Sequence, residues 1–237
     1  MNRWVIGDIH GCARTLRALF SQMNPEKTDE IYFVGDYIDR GLDSKGVIDY
    51  IWELEESGYQ LFCLKGNHEE YMLNAYEAEL NPKKVLFFKQ KNRVMEDWLF
   101  HGGKETLVSF DAQNVLDVPV KYIEWLRKLK LYFELPGHII VHAGLNFKKV
   151  DPFEDTHAML WIRDFEIDAA KIGNKKVIHG HVPVGQDFIK ESVGTNRYPF
   201  VDIDNGCVYN DRDGMGYLIA YEINSGDFLS QQNVDLY

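Results

Sequence analysis

The chain is poor in cysteine and in positive charge, and both shortages argue against whole classes of protein. Its 237 residues include only 3 cysteines and no Cys-X-X-Cys pair, so neither a disulfide framework nor a thiolate metal knuckle is indicated. Lys and Arg number 26 against 37 Asp and Glu, which gives a net charge of −11. A field of that sign repels polyanions, so we expect no sequence-independent binding to nucleic acid.

Long apolar runs are missing as well. No run approaches the length that spans a membrane, and the first residues, MNRWVIGDIHG, reach Asp8 after too few apolar residues for a signal peptide. We therefore expect a cytoplasmic protein with reduced cysteines and no membrane partner. Neither a repeat nor a Ser/Gly linker marks a boundary, so a single domain over residues 1–237 is expected.

Short apolar runs that end abruptly in polar clusters are the dominant pattern of the sequence. Between the first three runs, residues 13–23 and 44–56 show helical periodicity, which predicts a βαβαβ start and a parallel, buried sheet. The five runs are Trp4 to Ile6, Ile31 to Val34, Leu61 to Leu64, Ile139 to Val141, and Val177-Ile178.

The remaining segments complete the predicted fold. Residues 69–130 are mostly helical in pattern, with a break at Asn81-Pro82, and we interpret them as a helical cap insertion. After Lys175 the helical signal fades, and residues 200–203, 217–223 and 228–234 are predicted to form an antiparallel meander. These elements favour an α/β fold in which two mixed β-sheets pack as a β-sandwich and helices flank them.

Polar side chains that carry chemistry follow five of the predicted strands. In open α/β sheets, ligands bind beyond the carboxyl ends of the strands, where these loops converge. Asp, His and Asn donors without cysteine suit divalent cations such as Mn, Fe or Zn, and a carboxylate such as Asp36 can bridge two of them and activate a hydroxide nucleophile. The residues are Asp8, His10, Asp36, Asp39, Arg40, Asn67, His68, His142, and either His179 or His181.

Three blocks of this set resemble the signature of the metal-dependent phosphoprotein phosphatases, within the calcineurin-like metallophosphoesterases. They read GDIHG (7–11), GDYIDRG (35–41) and GNHE (66–69). Their spacing is similar to the family's, with 24 residues between His10 and Gly35 and 25 between Arg40 and Gly66. His142-Ala143-Gly144 and Gly180-His181 resemble the two later histidine blocks. The modest cap insertion and the segment Trp161-Ile162-Arg163 resemble those of bacterial Ser/Thr or dual-specificity phosphatases.

The resemblance implies a dinuclear metal centre, with manganese as the expected metal and iron, zinc or nickel as alternatives. One ion would be held by Asp8, His10 and Asp36. The other would be held by Asp36, Asn67, His142 and His181. The family pattern selects His181 over His179, whose role stays open.

The same resemblance implies roles for the remaining residues. His68 would be the general acid that protonates the leaving oxygen, and Asp39 would orient it. Arg40, Arg163 and Asn67 would bind the substrate phosphate. For the two arginines the reason is that a guanidinium fork makes bidentate bonds to phosphate oxygens.

The predicted activity is metal-dependent hydrolysis of a phosphomonoester, with a phosphorylated protein or a small phosphoester as substrate. A Ser/Thr protein phosphatase, or a dual-specificity one, is the main interpretation. Symmetrical diadenosine tetraphosphate hydrolysis is the alternative within the enzyme class. A catalytically silent metal-binding regulator is the alternative of another class. Oligomeric state and native substrate have no signal in the sequence.

Overall fold

Two β-sheets form the centre of the protein, as a computed structural model that describes residues 1–82, 84–85, 88–89, 92–194 and 197–235 shows. One sheet has five strands in the order β11-β10-β1-β2-β3, and the other has four in the order β6-β7-β8-β9. The strands are β1 (Arg3–Ile6), β2 (Glu30–Phe33), β3 (Gln60–Cys63), β4 (Lys84–Val85), β5 (Phe88–Lys89), β6 (Tyr132–Leu135), β7 (His138–Val141), β8 (Lys176–His179), β9 (Phe200–Asp202), β10 (Tyr217–Glu222) and β11 (Phe228–Gln232).

Eight α-helices flank these sheets in the described part of the chain. Two of them, between the first three strands, have the bounds that the periodicity predicts. The helices are α1 (Ala13–Met23), α2 (Ser44–Glu56), α3 (Asn67–Leu80), α4 (Arg93–Trp98), α5 (Lys104–Ser109), α6 (Val120–Lys128), α7 (Thr156–Trp161) and α8 (Gln186–Gly194).

Both sheets are mixed, which confirms the predicted fold class. Strands β1, β2 and β3 are parallel, whereas β10 is antiparallel to β1 and to β11. In the second sheet β7, β8 and β9 are parallel and β6 is antiparallel to β7. The parallel strands bring their carboxyl ends, and the loops that follow them, to one edge of each sheet.

The core lies in three layers, which explains why the strands are apolar on both faces. Val5, Ile140, Ile178 and Ile219 meet between the two sheets. The outer face of the first sheet packs against α1, α2 and the cap helices, and that of the second sheet packs against Met159 and its neighbours. Burial on both faces of a parallel sheet requires continuous apolar strands, as observed.

The predicted antiparallel meander at the end of the chain is wrong in its first strand. β9 pairs in parallel with β8 in the second sheet, with Val201 opposite Ile178, and only β10 and β11 form an antiparallel pair. Val201 and Ile203 are buried between the sheets, so burial of these side chains places β9 away from β10. A helix, α8, also lies where we expected helical structure to fade.

The predicted cap of residues 69–130 contains most of α3 together with α4, α5 and α6. α3 ends at Leu80, directly before the predicted break at Asn81-Pro82, and a short hairpin of β4 and β5 follows. Residues 83, 86–87 and 90–91 of this segment lie outside the described residues. A turn (Leu99–Gly103), kinked at Gly102 with φ of 112°, joins α4 to α5.

Candidate active site

The chemistry-bearing residues meet where five loops follow strands β1, β2, β3, β7 and β8. Asn67 and His68 stand in the first turn of α3, because that helix begins directly after the loop of β3. Most of these side chains are almost fully buried, and they are held by loops whose backbone is under strain. The residues with positive φ are His10 (48°), Asp36 (52°), Asp39 (71°), Arg40 (69°) and His181 (77°). Strained backbone of this kind concentrates at functional sites.

Asp36 lies between two groups of potential metal donors. Its Oδ2 is 3.5 Å from Nε2 of His10, and its Oδ1 is 3.6 Å from Nε2 of His142. His10, Asp36 and His68 form one group, and Asp36, His142 and His181 form the other; in each, the donor atoms lie within 4.8 Å of one another. One carboxylate therefore belongs to both groups.

Backbone carbonyls set the orientation of two of these imidazoles. Nδ1 of His10 donates to the carbonyl of Ile38 at 3.0 Å, and Nδ1 of His142 donates to the carbonyl of Val34 at 3.1 Å. With its hydrogen on Nδ1, each neutral ring presents the lone pair of Nε2 to the site. Such carbonyl contacts are the usual way in which proteins orient metal-binding histidines.

Asn67 links the second group through its side-chain oxygen. Its Oδ1 is 3.0 Å from Nε2 of His142 and 2.9 Å from Nδ1 of His181. Because the hydrogen of His142 is on Nδ1, its Nε2 and the Asn67 oxygen both present lone pairs to each other. A cation between them would satisfy both atoms.

Two further donor atoms also indicate a cation in this site. Oδ1 of Asp8 and Nε2 of His181 are buried and have no hydrogen-bond partner in the part of the chain that the structure describes. The other oxygen of Asp8 accepts from the backbone N–H of His181 at 3.1 Å. Buried polar atoms are rarely left unsatisfied, so these residues fit divalent cations.

Burial and like charge shape the electrostatics of the site. Burial, reinforced by Asp204 and Asp36, raises the pKa of Asp8 well above its ordinary value. Burial lowers the pKa of His142 to about 3 and that of His181 to about 3, so both rings are neutral near pH 7. Neutral imidazole is the form that binds metal, and crowded carboxylates are stabilised by positive charge.

His68 and Asp39 form a hydrogen-bonded pair beside these groups. Nδ1 of His68 is 2.8 Å from Oδ2 of Asp39, and the backbone N–H of His68 donates to Asp36 at 3.1 Å. Burial raises the pKa of Asp39 to about 7, an effect that hydrogen bonds from Thr106 and Trp98 oppose. Burial lowers the pKa of His68 to about 4, although the charge of Asp36 opposes this shift.

The two arginines differ in how closely they approach the site. Arg40 is half-buried, and its Nη1 donates to Nε2 of His10 at 2.6 Å. Arg163 is exposed after α7, and no hydrogen bond joins it to these residues in the described ranges. Its charge nevertheless adds to the effect of burial in lowering the pKa of His181. His179 is buried outside both donor groups, with Nδ1 3.1 Å from the carbonyl of Gly180.

Glu69 organises the loops in a way that the sequence analysis did not predict. Its carboxylate accepts from the backbone N–H groups of Gly66 at 2.8 Å and of Asp36 and Tyr37 at 2.9 Å each. The loop after β2 and the start of α3 are thereby joined. The signal was present in the GNHE block, where Glu69 is the last residue.

Comparison with known proteins assigns the chain to a family. The family profile described as calcineurin-like phosphoesterase matches residues 1–236. The chain belongs to the calcineurin-like phosphoesterase family. This family is one of dinuclear, metal-dependent phosphoesterases, and the donor groups described above fit such a centre.

Two curated relatives and one solved structure illustrate the similarity. A symmetrical bis(5'-nucleosyl)-tetraphosphatase of Nitrosospira multiformis is 30% identical over 60% of this chain, and the match spans only 43% of that protein. The asymmetrical bis(5'-nucleosyl)-tetraphosphatase PrpE of Oceanobacillus iheyensis is 27% identical over 95% of this chain and 90% of its own. A Saccharomyces cerevisiae protein serine/threonine phosphatase shares the fold, with TM-score 0.62, 16% identity and coverage of 100% of this chain and 81% of that one.

The predicted membership of the calcineurin-like metallophosphoesterases and the predicted fold class are therefore confirmed. Within the described residues of this phosphoesterase, the helices are all too short or too polar to cross a membrane.

Proposed function

We propose that this phosphoesterase hydrolyses a dinucleoside tetraphosphate. The observation that supports phosphoester hydrolysis is the position of Asp36, which is shared by two groups of buried donors. Two relatives, one matching 60% of this chain and the other 95%, are both named as bis(5'-nucleosyl)-tetraphosphatases. Their names support this substrate class. The alternative given in the sequence analysis is thus better supported than the main interpretation, a protein phosphatase. The likeness to a yeast protein phosphatase concerns the fold alone.

The resemblance, the unpartnered Oδ1 of Asp8 and the contacts of Asn67 with His142 and His181 support the proposed assignment of metal ligands, in which His68 is kept as the acid. Asp8, His10 and Asp36 would hold one ion. Asp36, Asn67, His142 and His181 would hold the other. When bound, two divalent ions supply Lewis-acid stabilisation of the phosphate charge and activate water. Nitrogen and oxygen donors of this kind suit manganese, our proposal, as well as iron, zinc and nickel.

The protein's own side chains would position the phosphate chain and move a proton. The guanidinium of Arg40, in the wall of the site, would bind phosphate oxygens, with Arg163 at the exposed side. His68, in its protonated form, would donate its Nε2 proton to the oxygen of the leaving nucleotide, while its Nδ1–H stays bonded to Asp39. Asn67, which already contacts His142 and His181, would also contact the phosphate.

The domain organisation and the cellular location of the enzyme are also proposals. We propose a single domain over residues 1–237, in which the cap is an insertion. We also propose that the enzyme acts in the cytoplasm, where its unpaired cysteines, Cys12, Cys63 and Cys207, would stay reduced.

A direct assay tests the substrate class. Manganese-loaded protein is incubated separately with diadenosine tetraphosphate, a phosphoserine peptide and a phosphotyrosine peptide, and products are separated by ion-exchange chromatography. We expect the dinucleotide to be preferred, and the products, either two ADP or AMP with ATP, report which phosphoanhydride bond is cleaved. Preference for a peptide would overturn the proposal and restore the protein phosphatase interpretation.

A further inference from the structure

An exposed aromatic ring lies next to the candidate site. Phe100, in the kinked turn that joins α4 to α5, is 84% exposed. Large exposed apolar side chains are unremarkable when they stand alone on a surface. Phe100 does not stand alone, because it begins a row of rings that leads towards the site.

The row of rings connects Phe100 to His68. Phe100 makes an edge contact with His101 at 5.2 Å between ring centroids, and His101 stacks on Tyr71 at 4.7 Å. Tyr71 in turn contacts Trp161 at 4.8 Å and lies 6.0 Å from the ring of His68. We call Phe100 and His101 the aromatic platform.

The platform faces a phosphate-binding candidate across a shared cavity. Phe100, His101, Arg40, Lys104 and Glu105 help to line a cavity of about 470 Å³. This volume lies within the range of sites for small molecules, which is ~300–1,000 Å³. The ring of Phe100 offers a flat face for stacking, and Arg40 and Lys104 offer positive charge for phosphate. The carboxylate of Glu105 can accept hydrogen bonds from the polar edge of a ligand.

Backbone contacts hold the platform at a set distance from Arg40. The N–H of Arg40 donates to the carbonyl of Gly102 at 3.2 Å. Gly102 has φ of 112°, and a Cβ there would lie 2.5 Å from the backbone nitrogen of Arg40, so glycine permits this close approach.

We infer that the aromatic platform stacks the nucleobase of a nucleotide whose phosphates bind Arg40. The inference deepens the proposed function, on which it rests for the identity of the substrate. Bases stack on aromatic side chains whatever their sequence, because every base has a π face. The platform would therefore favour a substrate with a base over an equally charged phosphate chain without one.

Binding of products tests the platform independently of hydrolysis. The dissociation constants of ADP and of pyrophosphate are measured by calorimetry, at the same manganese concentration, for the wild type and for Phe100→Ala. The wild type should bind ADP more tightly than pyrophosphate. Phe100→Ala should weaken ADP binding roughly 5- to 150-fold, as expected for loss of one stacking contact, and leave pyrophosphate unchanged.

Two control variants separate stacking from other effects. Phe100→Tyr keeps the ring and should retain the preference for ADP. Val108→Ala removes another exposed apolar side chain of the cap, which is 77% exposed, and should bind both ligands as the wild type does. Equal preference for ADP in the wild type and in Phe100→Ala would overturn the inference, and so would no preference in the wild type. Preference for ADP without hydrolysis of diadenosine tetraphosphate would refute only the proposed function.

Discussion

Trp98 donates its indole hydrogen to the carboxylate of Asp39, with Nε1 3.1 Å from one oxygen and 3.0 Å from the other. Thr106 donates to the same carboxylate at 2.7 Å. Asp39 in turn contacts Nδ1 of His68. The cap thus reaches the proposed general acid through one buried carboxylate, and helices α4 and α5 contribute to the geometry of the site although they carry none of its donor groups.

Removing the indole donor should destabilise the protein and slow turnover. In Trp98→Phe the buried carboxylate of Asp39 loses a hydrogen bond, which costs about 1–3 kcal/mol of unfolding free energy. We expect kcat to fall more than KM rises, because His68 loses its alignment. Urea unfolding and steady-state kinetics measure both effects.

A matched variant is available in the same chain. The indole nitrogen of Trp4 is buried and lacks a hydrogen-bond partner among the described residues, so Trp4→Phe removes no such bond. Its unfolding free energy should change less than that of Trp98→Phe, and its kcat should not change. Equal kinetic effects of the two substitutions would refute the link between the cap and Asp39.

Replacing the proposed general acid should slow the reaction while leaving metal binding intact. His68→Asn should lower kcat roughly 10²- to 10⁴-fold, the usual contribution of general acid catalysis. Elemental analysis should find the metal content of the wild type. The exposed His157 provides the control, as His157→Asn should retain full turnover. Loss of metal together with activity would instead make His68 a ligand.

A small change beside Asp8 should disturb the metal centre. A Cβ at Gly180 would lie 2.1 Å from Oδ1 of Asp8, so Gly180→Ala must displace that carboxylate. We expect manganese affinity to fall roughly 10- to 100-fold, as for other residues that support metal ligands. Gly185, in the same loop, has nothing within 4 Å of its Cβ position. Gly185→Ala should bind manganese normally, and equal affinity of both variants would contradict the assignment of Asp8.

The metal-free protein should show a specific pH dependence at Asp204. Burial raises the pKa of Asp204 from 3.8 to about 7, and its Oδ1 accepts from the N–H of Gly206, a bond that asparagine can keep. A raised carboxyl pKa stabilises the fold fully below the unfolded value, and this contribution is lost as pH rises through the folded value. Asp204→Asn, which mimics the protonated form, should therefore gain stability relative to wild type between about pH 4 and pH 7, by at most about 1.4 kcal/mol per pH unit.

Urea unfolding in chelator at about pH 5 and about pH 8 measures this gain. Asp211, which is exposed, supplies the control variant Asp211→Asn. If the stability difference between Asp204→Asn and wild type were the same at both pH values, the raised pKa of Asp204 would be contradicted.

Much of the fold could be predicted because local patterns and burial agree. The apolar runs before Gly7 and Gly35 correspond to β1 and β2, and the intervening periodicity gives α1 with its predicted bounds. Parallel strands place the residues that follow them at one edge of a sheet, so linear motifs were enough to predict that Asp36, Asn67 and His142 come together.

The rest depends on contacts between distant segments, which no local pattern encodes. β9 has the composition of a strand, but its partner is chosen by burial of Val201 between the sheets. Trp98 and Thr106 meet Asp39 across 59 and 67 residues of sequence, so neither residue type nor spacing indicates the contact. His101 had no matching motif, and only the folded chain places it beside Arg40.

The most direct test of the account is the dependence of activity on bound manganese. Metal-free protein is titrated with manganese, and hydrolysis of diadenosine tetraphosphate is measured against the number of ions bound per chain. A site in which Asp36 is shared by two donor groups predicts that turnover rises to a plateau at two ions per chain. Full turnover with one ion, or with none, would contradict the account.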